Sequence, residues 1–161
     1  MKLRKIPRGT FWIGGLASLA LGVPLLALGI HAVSDPFGLA RRPVPLDQTF
    51  WISLAFAGVP ALISGGGVAR LVAHRLAEHP NLGVQNALWR GGGAMAAAGI
   101  GLAILAGVPL GTLTENPVTW IPVCLAGLFA GALTGVAVSL LAALRQRRFA
   151  PPAQTPGDVA A

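Results

Sequence analysis

Cutting this chain at every Asp, Glu, Lys and Arg leaves four long uncharged stretches: Gly9 to Ser34, Gln48 to Ala69, Gly91 to Thr114 and Asn116 to Leu144. Each supplies the roughly 20 apolar residues that a helix needs to cross a ~30 Å hydrocarbon core. A membrane β-barrel would instead show alternating segments of about ten residues, and none occur. The pattern predicts an all-α integral membrane protein built as a bundle of four transmembrane helices. The spans are expected near 11–33, 50–73, 88–111 and 118–144, within one membrane domain of residues 1–148. Residues 149–161 are proline-rich without an apolar pattern, and read as a disordered cytoplasmic tail.

Composition agrees. Hydrophobic residues make up 54% of the 161 and charged residues only 11%, against about a quarter in a soluble domain. The net charge of +7 does not point to nucleic acid, because the basic residues form no stripe on a folded face. They gather in short segments between the apolar stretches. Lys2, Arg4, Lys5, Arg8, Arg70, Arg75, Arg90, Arg145, Arg147 and Arg148 fall on one side of a four-span chain, and only Arg41 and Arg42 on the other. The positive-inside rule then puts both termini in the cytoplasm and the chain in a bacterial-type inner membrane. A cleaved signal peptide ending near His31-Ala32-Val33 is the rival for the first stretch. Its apolar run exceeds the usual 7–15 residues, so it reads as a retained helix.

Trp12, Trp51, Trp89 and Trp120 each open a span. Indole prefers the interface, where an apolar ring meets water with a polar N–H, so all four are expected as interfacial anchors. The tryptophans also align the two halves. Trp12, Gly14, Gly15 and Gly22 meet Trp89, Gly91, Gly92 and Gly99 at an offset of 77, and Trp51, Ile52, Gly58 and Gly66 meet Trp120, Ile121, Gly127 and Gly135 at an offset of 69. This suggests a parallel two-helix repeat about an axis along the membrane normal, against a background of chance identities among Gly, Ala and Leu.

Small residues recur at every fourth position: Gly14, Ser18 and Gly22 in the first span, and Ala57, Ala61, Gly65, Ala69 and Ala73 in the second. The third span carries Gly93, Ala97 and Gly101, and the fourth carries Gly127, Gly131, Gly135 and Ser139. Such faces let helix backbones approach closely where apolar burial no longer drives association. They pack the chain's own helices, or else one of them, foremost that of the fourth span, serves self-association or docking to another membrane subunit. Pro24 and Pro60 lie inside spans and are expected to kink them.

Chemistry is scarce. No carboxylate falls within a span, which argues against proton-coupled exporters of cations. Arg70 and Arg75 sit at the inner end of the second span, where snorkelling or contact with an anionic headgroup accounts for them. His31, His74 and His79 are not placed to ligate a haem from facing helices. Gly65-Gly66-Gly67 and Gly91-Gly92-Gly93 lack the GxxxxGK[ST] pattern of a phosphate loop, and the single Cys124 excludes an internal disulfide. The expected protein is therefore no enzyme and carries no cofactor or metal. It reads as an accessory, assembly or scaffold subunit, with a small homo-oligomeric channel or transporter as the alternative.

Overall fold

A computed structural model of the chain describes residues 9–34, 45–79, 84–114 and 120–148. All four segments are helical, and among the described residues there is no strand. The first span consists of α1 (Thr10–Ala17), a five-residue π-helical turn (Ser18–Gly22) and α2 (Val23–Ser34). It is followed by α3 (Leu46–Glu78), α4 (Val84–Thr114) and α5 (Trp120–Arg148). Four helices are thus long and apolar enough to cross a membrane. The second helix extends well beyond the expected 50–73, because Leu46–Thr49 and His74–Glu78 continue it in polar sequence. The expected tail, residues 149–161, lies outside the described residues.

Local chemistry fixes the ends. Gly9 opens α1 at φ 88°, a left-handed conformation that side chains other than glycine's disfavour, and its carbonyl accepts the Ile13 N–H at 3.1 Å. Before α3, the Pro45 carbonyl accepts both the Thr49 N–H at 3.0 Å and the Thr49 hydroxyl at 3.2 Å. That helix ends at His79, which leaves the helical region (φ −126°, ψ 79°) just ahead of Pro80, as the clash between a proline ring and the preceding residue demands.

The two inner prolines behave differently. Pro24 has no N–H for the Ala20 carbonyl, and the turn just before it widens to the π form. Pro60 and Pro109 sit within uninterrupted α-helices. Pro122 occupies the first turn of α5, where its missing N–H had no partner within the helix.

The helices run up and down. Gly14 lies against Ala69 and Gly65, and Phe11 against Gly66, so the first span is antiparallel to α3. Gly91 meets Ser139 and Gly99 meets Gly127, so α4 is antiparallel to α5. Gly9 beside Arg145, Gly22 beside Thr134 and Gly29 beside Ala126 set the first span antiparallel to α5. The α4–α5 pair is the tightest, α3 and α5 touch across the short diagonal, and α2 and α4 barely meet.

Size segregates by depth. Ala57, Ala61, Ala69, Ala73, Ala103, Ala106 and Ser53 are buried, while Phe129, Val59 and Ile121 stand 64–75% exposed. Small residues let the backbones close up beside a core of Val23, Leu26, Ile30, Met95 and Leu102, and many other bulky apolar side chains remain on the outside. Water would wet that surface poorly.

Candidate functional site

The stripe of Gly127, Gly131, Gly135 and Ser139 is turned inward against α4. A Cβ on Gly131 would run into the Met95 carbonyl and lie 3.0 Å from Gly99 Cα. On Gly135 it would lie 2.5 Å from the Gly91 carbonyl, and on Gly127 it would strike the Gly99 carbonyl. The space beside this stripe is filled by a helix of the same chain. Gly14 and Ser18 likewise face Gly65 of α3, and a Cβ on Gly22 would lie 3.3 Å from the Thr134 side chain of α5.

An outward stripe of α4 is open. Gly93, Ala97 and Gly101 are exposed, and a Cβ on Gly93 or Gly101 would meet nothing within 4 Å. Beside it runs an apolar groove of about 460 Å³, lined by Leu88, Trp89, Gly92, Gly93, Ala132 and Val136. The groove has a filled counterpart. Gly14 and Gly15 contact Gly65 and Leu62 in the first hairpin, and Gly91 and Gly92 contact Gly135 and Ala132 in the second. These contacts shift by 77 on one helix and 70 on the other, one residue away from the Trp51–Trp120 alignment. In the first hairpin Phe11 covers Gly66 and Leu62 covers Gly15. At the shifted positions stand Leu88, Val136 and Ala132. The smaller Ala132 leaves the groove open.

At the bundle centre lies a cavity of about 10 Å³ between Ser18, Gly22, Met95, Gly99, Gly131 and Thr134. That is room for about one water. Thr134 Oγ1 donates to the Ala130 carbonyl at 2.7 Å, whereas the fully buried Ser18 Oγ has no hydrogen-bond partner among the described residues. This cavity admits nothing larger than a water.

Trp12, Trp51 and Trp89 are 61%, 64% and 74% exposed. Trp12 and Trp89 belong to the end where α1 and α4 start, and Trp51 to the opposite end. The Trp120 side chain lies outside the described ones. His31 and His74 fall at opposite ends of the bundle, and His79 follows the last residue of α3, so none of these pairs faces another at one depth. Arg70 and Arg75 are both exposed on α3. Arg75 lines a small pocket with Asn86 and Arg90 of α4, and Arg70 does not. Sequence spacing gave no hint of this pairing, because it forms across the α3–α4 connection.

No protein-family model, characterised protein or solved structure matches the chain. The site has to be read from its own geometry.

Proposed function

We propose that the chain is an integral membrane protein of a bacterial-type inner membrane, with four crossings and both ends in the cytoplasm. It serves there as a non-catalytic accessory or scaffold subunit of a larger membrane complex. The carrying observation is the surface: Leu, Ile, Val, Phe and Trp side chains stand exposed along all four helices, around an interior in which Gly, Ala and Ser allow close helix contacts beside Leu26, Ile30, Met95 and Leu102. Lipid rewards close backbone packing and accepts bulky apolar groups outside. Arg70, Arg75, Arg90, Arg145 and Arg148 share one end, which supports a cytoplasmic assignment for it. The three exposed tryptophans fit the interfacial role. Docking is assigned to the outward Gly93–Ala97–Gly101 stripe and its groove, in place of the occupied stripe on α5.

Topology is read by thiol labelling on a Cys124→Ala background. Asp47→Cys reacts with an impermeant reagent in intact cells, while His79→Cys and Gln154→Cys react only after lysis. Labelling of His79→Cys in sealed cells would overturn the arrangement. The scaffold role is read by purification in mild detergent, where the protein is expected within a larger complex of other membrane subunits. The repeated hairpin contacts favour one competitor, a pseudo-symmetric channel or transporter. A monodisperse homo-oligomer that conducts solute in reconstituted vesicles would establish that reading instead.

A further inference from the structure

We infer that a single water molecule binds at the centre of the bundle, held by the hydroxyls of Ser18 in the first span and Thr134 in α5. Ser18 opens the π-helical turn Ser18–Gly22. Its side chain is 0% exposed, and its Oγ has no hydrogen-bond partner among the described residues. A hydroxyl left unbonded away from water is costly, and more so within hydrocarbon, which supplies no partner of its own. Buried waters occupy such places where there is room beside the orphaned group.

Two hydroxyls converge on one position. A Cβ on Gly22 would lie 3.3 Å from Thr134 Oγ1 and 3.6 Å from Ser18 Oγ, and glycine leaves that position without a side chain. Ser18, Gly22 and Thr134 all line the cavity of about 10 Å³, the space of about one water. Thr134 Oγ1 already donates its proton to the Ala130 carbonyl at 2.7 Å, so its lone pairs are left to accept from the water. The Ser18 hydroxyl can donate to the same water or accept from it.

The surroundings select a neutral ligand of one heavy atom. The rest of the lining is glycine or apolar, including Leu26, Met95 and Leu102. A hard cation takes roughly six or more oxygen ligands, and neither Asp47 nor Glu78 lines the cavity. The water joins the first span to α5 beside the glycine seam of α4 and α5. It sits at the one turn of the first span that departs from α-helical winding, and such widened turns recur at functional positions in helices.

The test uses full-length protein in detergent and brief X-ray radiolysis, which turns bound water into hydroxyl radicals that oxidise the side chains beside it. The readout is conversion of Met95 to its sulfoxide, counted by mass spectrometry. Met95 borders the cavity and is 1% exposed, so radicals from bulk solvent do not reach it in the folded bundle. Wild type is expected to be oxidised at Met95. Gly22→Ala places a methyl where the water binds, against side-chain rather than backbone atoms, and should lose that oxidation. Thr134→Val keeps the shape, removes one hydroxyl and should lose it too. Each variant is first matched to wild type by size-exclusion profile. A wild type that stays unoxidised at Met95 would overturn the site, with Ser18 Oγ bonded instead to the Gly14 carbonyl, which the Ser18 N–H already meets. Equal oxidation in all three proteins would overturn it as well, because radicals would then be reaching Met95 through opening of the bundle.

Discussion

Gly131→Leu is expected to abolish the folded bundle. The glycine's missing Cβ points at the Met95 carbonyl and at Gly99 Cα, and neither backbone atom can swing aside as a side chain would. Overpacking of a tight core typically costs about 1–3 kcal/mol. Here four side-chain atoms must enter a space that does not admit one, so about 3 kcal/mol or more is expected. The measurement is reversible unfolding in mixed micelles, supported by size-exclusion profiles. Gly93→Leu is the comparison: it faces open space on the same α4–α5 pair and should leave monomer stability within ~0.5 kcal/mol. Wild-type stability in Gly131→Leu would mean that the seam between α4 and α5 is not closed as described. Conversely, loss of a partner complex in Gly93→Leu with an intact fold would locate the docking face.

Met95→Ala is expected to have the next largest effect. Met95 is among the largest of the fully buried side chains, 1% exposed. It also borders the small cavity beside Ser18 and Thr134. Removing it joins the vacated volume to that cavity, and the lining loses contacts that no neighbour can replace. Burying methionine and then truncating it costs about 2–5 kcal/mol in soluble cores. In a lipid-like medium the transfer part shrinks, so a value of about 2 kcal/mol is expected. Met95→Leu refills most of the volume and should cost under ~1.5 kcal/mol. Equal unfolding midpoints for wild type and Met95→Ala would show that the three-way contact of the first span, α4 and α5 is loose.

The number and rough extent of the helices were legible from charge alone. Charged residues bound the apolar stretches, and Pro45 and Pro80 sit where α3 starts and stops. That small residues would line helix contacts was also legible, since residues four apart share a face. Which helix each stripe meets was not. The outward series on the third span, Gly93–Ala97–Gly101, looks no different in sequence from the inward series on the other spans. The widened turn before Pro24 was foreseen only as a kink. Pro60, equally internal, produced no break in α3.

Sequence by itself determined four apolar helices, a basic end and faces of small residues for helix contacts. Those properties follow from composition and periodicity along one helix at a time. Only the tertiary structure decided that Gly131 lies against Met95 and that Ala132 leaves a groove where Leu62 fills one. In a water-soluble domain, polarity would mark the outer face of each helix and narrow these choices. Here both faces are apolar, so hydropathy cannot tell inside from outside. Close steric fit between neighbouring backbones decides the pairing instead.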